Sequence, residues 1–252
     1  MQELVSFRRY QEWFVTRNLA TNLRYILCVG TPTLIVLLLG VEFEDWFFGI
    51  IWLLLSLFVL TYAVEIYDSD LVLDEQITWL RALTDEDVLA DVVQRHEDFL
   101  ATTVYELFQS IVPVLFWFLV VGPAGALFYA LSVRYLDSLD LDDSEVDLLE
   151  QVIHWTDWIP ASITGLLFAL VGNFGRGFEY WLETFLDTEE SNAVHLQNLA
   201  LIVVDDDRNA EEDNVVGFAQ SAEQQLNKLR TLFERTVYGW VGIAALVAII
   251  GW

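Results

Sequence analysis

Basic residues are what this 252-residue chain has least of. A single lysine, Lys228, and eleven arginines stand against 38 carboxylates, a formal net charge of −26. Neutralising nucleic-acid phosphates takes clusters of Lys and Arg, so the composition excludes nucleic acid as a partner. Docking through loops onto anionic lipid is disfavoured for the same reason. Cysteine is equally scarce: Cys28 stands alone, which excludes an intrachain disulfide and a cysteine-based metal site. His154 and Asp157, three residues apart, share a helical face as a metal or acid–base pair, but two ligands are fewer than a metal site uses. No metal and no other cofactor is expected. Residues 1–17 lack the apolar core of a cleavable signal. They read instead as an amphipathic helix along a membrane interface, with Phe7, Tyr10, Trp13 and Phe14 at its boundary.

Apolar sequence is abundant. Five runs, at about 25–41, 46–66, 111–133, 158–174 and 237–252, are too apolar for water, and 111–133 carries no charge from end to end. About 20 helical residues cross a ~30 Å hydrocarbon layer. The fold expected is therefore all-α: a polytopic membrane helix bundle of about five transmembrane helices plus amphipathic interfacial helices, forming one membrane domain over 1–252. The carboxylates fall in the connections. They suit a solvation layer for high salt, where screening weakens self-repulsion, or an acidic docking surface. The lipid bilayer is the expected partner, with a homo-oligomer or a larger membrane complex as further possibilities.

Arg8, Arg9, Arg17 and Arg24 precede the first run, and 42–45 has no base. Arg81 and Arg95 follow in the next connection, and Arg134 stands alone before 158–174. Arg176, Arg208, Lys228, Arg230 and Arg235 precede the last run. Read by the positive-inside rule, this alternation predicts a cytoplasmic N-terminus and cytoplasmic loops at 67–110 and 175–236. Both loops read as helical. Thr84 with Asp87, and Ser144 with Asp147, have capping-box spacing. Phe178, Trp181, Leu182, Phe185 and Leu186 fall at helical spacing as an interfacial helix. The acidic stretch 205–213 reads as a solvated turn, and a helix from about 216 runs through Leu226, Leu229 and Leu232 into the last apolar run.

Gly122-Pro123, with Pro113 upstream, interrupts an apolar run where lipid offers no replacement for a lost backbone hydrogen bond. The break reads either as a pocket between helices or as a kink that lets Gly122, Ala124, Gly125 and Ala126 pack closely. Asp157 and Pro160 read as the capped start of the fourth span, with Trp155 and Trp158 in the aromatic belt. Arg81 and Arg95 are candidates to hold a phosphate or carboxylate near the break, with His96 or Glu106 as proton carriers, or else all four belong to a solvated charged face. His195 reads as a packed or interfacial histidine. Asn173, within Gly172-Asn173-Phe174-Gly175-Arg176-Gly177, follows a span rather than a strand, so this glycine-rich stretch is a weak phosphate-loop candidate. Gly239, Gly242, Ala244 and Ala245 suit close helix packing.

Two blocks in order are more specific: Leu115-Phe116-Trp117, Gly122-Pro123, Gly125-Ala126-Leu127 and Tyr129, then Asp157-Trp158-Ile159-Pro160. Together with Phe7-Arg8-Arg9-Tyr10 and Trp13, they resemble the AmpE family of bacterial inner-membrane proteins, and more distantly the CobD/CbiB cobinamide-phosphate synthases. The resemblance covers most of the chain. It implies a multi-pass inner-membrane signalling modulator linked to β-lactamase induction; the expected place for a ligand or partner is the cytoplasmic mouth around the Gly122-Pro123 break. The synthases carry an ENTSDG-like stretch before the first block. Here that run is Tyr105-Glu106-Leu107-Phe108-Gln109-Ser110, and Ser162 stands where Arg commonly follows Ile-Pro-Ala. The resemblance thus favours a modulator over an active synthase, with no catalytic residue assigned; a synthase-like enzyme and an accessory subunit of a membrane complex are the alternatives.

Overall fold

The computed structural model describes Tyr10 and residues 21–42, 46–63, 69–84, 87–136, 141–186, 190–204 and 214–250. Apart from Tyr10, the expected interfacial helix at 1–17 lies outside the described residues, as does the acidic turn 205–213. The elements are α1 (Thr21–Tyr25), a π-helical turn (Ile26–Gly30), α2 (Thr31–Glu42), α3 (Trp46–Ala63), α4 (Ser69–Arg81), α5 (Leu89–Val121), α6 (Pro123–Leu136), α7 (Asp143–Val171), α8 (Phe174–Thr184), α9 (Asn192–Val204) and α10 (Val215–Ile250). All regular structure among the described residues is helical. Three stretches there are long and apolar enough to cross a membrane: Leu23–Gly40, Leu89–Val121 and Val215–Ile250. The expected spans at 46–66 and 158–174 correspond to α3 and to the end of α7.

The chain divides into two compact units, Met1–Glu65 with Pro113–Asp157, and Ile66–Val112 with Trp158–Trp252. The long helices α5 and α7 contribute residues to both. In the first unit α6 is central, and α2 and α3 both pack on it. Ala124, Gly125, Ala126 and Ala130 are buried there, small side chains that let neighbouring backbones approach. The faces of α2 and α3 turned away from α6 carry Leu34, Ile35, Leu38, Leu54, Leu57 and Phe58, each more than half exposed. A surface this apolar is stable against lipid rather than water.

The expected third span, 111–133, is not one helix. α5 ends at Val121, Gly122 takes the left-handed conformation (φ 80°), and α6 starts at Pro123. Two turns along a straight helix, residue 125 would stand ~12 Å from residue 117. Here a Cβ on Gly125 would lie 2.6 Å from the Trp117 carbonyl oxygen, so the bend folds the first turn of α6 against the last turns of α5. Pro113, by contrast, sits inside α5 without ending it.

The fourth span also differs from expectation. Asp157 and Pro160 do not start a helix; they lie deep within the 29-residue α7. That helix starts two residues earlier than the Ser144–Asp147 spacing suggests. Glu145 reaches back to the Asp142 backbone N–H (3.3 Å), so the capping pair is Asp142 and Glu145. The Thr84–Asp87 pair does form (N–H to Oδ2, 2.8 Å), but its helix begins at Leu89.

In the second unit α4 packs against α10, and α9 against both α8 and α10. Leu73, Ile77 and Leu80 on α4, and Leu226, Leu229 and Leu232 on α10, are buried at the helical spacing that amphipathic packing requires. Segments from both expected loops, 67–110 and 175–236, therefore pack together here, as two segments on one side of a membrane can. Gly177 admits α8 to this packing: a Cβ there would lie 2.4 Å from Val203 Cγ1. Along α8, Phe174, Phe178, Trp181 and Phe185 stack in succession, with ring centroids 4.7 to 5.8 Å apart. The expected interfacial aromatic stripe is thus a ladder, tied to α7 by the Trp181 indole N–H donating to the Ser162 carbonyl (2.8 Å).

Candidate functional site

Gly122 and Pro123 sit at the bend, and the polar groups near it are satisfied by protein. The Gly122 N–H donates to the Phe118 carbonyl (2.9 Å), while its own carbonyl accepts from Gly125 and Ala126. Pro160 has no N–H to offer the Thr156 carbonyl one turn earlier. That carbonyl accepts instead from the Trp117 indole N–H (3.1 Å). One aromatic side chain from the Leu-Phe-Trp block thus repairs the helix that the Trp-Ile-Pro block interrupts, a requirement wherever water is absent. This links the two blocks physically. Asp157, next to Thr156, is fully buried.

A second polar constellation in the same unit was not singled out by the sequence. The Arg24 guanidinium pairs with Glu145, its Nε donating at 2.6 Å, where Glu145 is only 1% exposed. Tyr135 donates to the same carboxylate (3.1 Å). Tyr25 shares a hydrogen bond with Ser132 (2.9 Å) and packs edge-on against Tyr135, and Cys28 is wholly buried in the adjoining cluster. The only sequence signals were an arginine immediately before an apolar run and one carboxylate among many.

The remaining candidates lie on α4, α5 and α9 or at the start of α8. Arg81 is gripped by Glu223 through two bonds (Nε 3.1 Å, Nη2 2.5 Å). This hydrogen bonding holds the Glu223 carboxyl below its usual range and raises the Arg81 value further. An incoming phosphate at Arg81 would have to displace that carboxylate. Arg230 pairs likewise with Asp74. Arg95 lies over the Trp79 ring, 4.2 Å from its centre, and Glu106 is solvent-exposed. Asn173 is the N-cap residue of α8, without a side-chain cap bond. His195 is buried and stacks on Tyr180. Among the described residues, no group of three or more His, Cys, Asp or Glu forms a metal-ligand set.

His96 is 3% exposed, its Nε2 against the Gln225 Oε1 (3.1 Å) and its ring edge-on to Phe218. Burial lowers its pKa, only partly opposed by the Gln225 bond and by Glu97. The unfolded chain takes up this proton first, at about pH 6.5. Stability is therefore full above that pH and declines as pH falls through it toward the folded value. In thermal unfolding scans between about pH 5 and pH 8, wild type is expected to lose more stability on acidification than H96Q, which keeps a partner for Gln225. Equal losses would refute a proton-linked role for His96.

These features define a protein whose described residues form only helices, three stretches of them membrane-capable, with one interrupted helix repaired by a side-chain donor from another. The family model for regulatory signalling modulator protein AmpE matches residues 4–239. The chain belongs to the AmpE family. No curated protein and no solved structure matches it.

Proposed function

We propose that this protein is a multi-pass modulator in the inner (cytoplasmic) membrane that acts in β-lactamase induction by binding a ligand or partner on its cytoplasmic side. The observation that carries this reading is the family match, which runs through nearly the whole chain. The packing of α4 against α10 supports it: both expected cytoplasmic loops contribute to one folded, charge-decorated surface. Function by binding also fits a chain whose two sequence blocks are joined by a structural hydrogen bond, Trp117 to Thr156. Deleting the gene in a host that carries an inducible β-lactamase is expected to change the enzyme level reached after β-lactam exposure, by severalfold. Unchanged induction, with the protein shown to be expressed in the parent strain, removes the pathway assignment.

A further inference from the structure

Between the long helices α7 and α10 the chain makes two short ones. α8 has 11 residues and α9 has 13, and α9 carries no Asp, Glu, Lys or Arg. At 1.5 Å per residue, neither crosses a ~30 Å hydrocarbon layer. Their long neighbours run antiparallel. Arg235 donates to the Val171 carbonyl (3.4 Å), a Cβ on Gly239 would lie 3.0 Å from Leu167 Cδ2, and the Trp240 indole donates to Thr164 Oγ1 (3.2 Å). Beyond Arg235, α10 has no charged residue, and Val241 and Leu246 are more than half exposed, a surface suited to lipid.

α8 folds back along this same stretch of α7. At the turn, the Asn173 N–H donates to the Val203 carbonyl (3.3 Å). A Cβ on Gly177 would lie 3.1 Å from Ala169 Cα, whereas Trp181 lies against Gly165 and donates to the Ser162 carbonyl. As α8 advances from 177 to 181 it thus passes from the level of Ala169 to that of Ser162, away from Arg235. α9 returns, with His195 against Gly165 and Val203 against Gly172. The pair therefore enters and leaves on the side where Val171 meets Arg235. By the register on α7, Leu182 and Glu183 are no shallower than Thr164 and its partner Trp240, about 7.5 Å further along α10 than Arg235.

Polar groups at such depth need protein or water beside them. On the inner side of the pair, Asn192 and His195 are buried in protein. The outer side of α8 has two strips. Leu182 and Leu186 form an exposed apolar one, and Glu179 and Glu183, four residues apart, an exposed acidic one. Lipid suits the first strip and not the second. We propose that α8 and α9 form a re-entrant helical hairpin, and that a water-filled inlet reaches Glu179 and Glu183 along its outer side. The proposal rests on the membrane reading above, which makes the end of α10 a span.

Single cysteines in a C28S background test it: E234C before the apolar end of α10, V241C within it, and L182C and E183C on α8, all at exposed positions. The full chain is reconstituted in phosphatidylcholine nanodiscs, and labelling by a membrane-impermeant sulfonated maleimide is timed. A thiolate forms only where water reaches, so V241C should react on the order of a hundredfold slower than E234C, and E183C at nearly the E234C rate. Bimane on L182C and on V241C should be quenched alike by phosphatidylcholine brominated at mid-chain. L186C repeats the depth reading should L182C fail to fold. E183C as slow as V241C would overturn the inlet. An unquenched L182C beside a quenched V241C would put α8 outside the hydrocarbon and overturn the hairpin. Fast labelling of V241C without quenching would instead take α10 out of the membrane, so the membrane reading itself would fail and the proposal with it.

Discussion

Glu145→Ala is expected to destabilise the protein by about 3–5 kcal/mol, the usual cost of removing one partner from a buried ion pair. Glu145 is 1% exposed and the Arg24 side chain 12%. Removing the carboxylate leaves a guanidinium largely cut off from water, strips Tyr135 of its acceptor, and removes the group that reaches the Asp142 N–H at the start of α7. Glu145→Gln should cost less, since an amide oxygen can still accept from Tyr135. Replacing both partners, R24M with E145M, should recover part of the loss, because two apolar side chains leave no buried charge. Denaturant or thermal unfolding of the detergent-solubilised protein, against the exposed-site control E150A, measures this. A midpoint for E145A equal to that control would mean that the pair contributes nothing.

Gly125→Val should be the most damaging substitution at the bend, and Gly125→Ala more damaging than Gly122→Ala. A Cβ on Gly125 would sit 2.6 Å from the Trp117 carbonyl oxygen and 2.8 Å from Val121 Cβ. The first of these is backbone and cannot rotate away, so the alanine alone should cost about 1–3 kcal/mol by overpacking, and valine more. Gly122 has open space around the missing Cβ, and its cost is conformational only, from a φ of 80°. That is about 1–2 kcal/mol. Any straightening of the bend would also carry Trp117 away from the Thr156 carbonyl and leave it without a donor. Unfolding midpoints ordered G122A below G125A would show that steric closure at residue 125 does not hold the bend.

The ranking of these two glycines shows where sequence reasoning reaches its end. Gly122-Pro123 is conspicuous in an apolar run because both residues disfavour helix, and the break there is what the structure contains. Gly125 reads only as one small residue among several; its importance comes from a carbonyl eight positions earlier that the bend folds against it. Pro113 carries the same local signal as Pro123 yet leaves α5 unbroken, since one missing hydrogen bond does not outweigh the surrounding helix. Asp157 and Pro160 resemble a helix start by the same local rules, but α7 runs through them, with Trp117 supplying the donor that Pro160 lacks. Arg24 shows the limit for charge: in the sequence it is one base among several before an apolar run, and in the fold it is the partner of the buried Glu145.

The amino-acid sequence by itself determined the all-helical membrane class and the family, because runs of apolar residues and two ordered blocks are properties of the chain read in one dimension. It also determined the break at Gly122. Only the tertiary structure decided that 111–133 is two helices, that Arg24 and Glu145 meet across 121 positions, that Arg81 is committed to Glu223, and that α8 folds back along α7. Each depends on groups far apart in sequence. Helical periodicity reports which face a residue occupies, whereas charge pairing and carbonyl capping depend on which other helix that face meets.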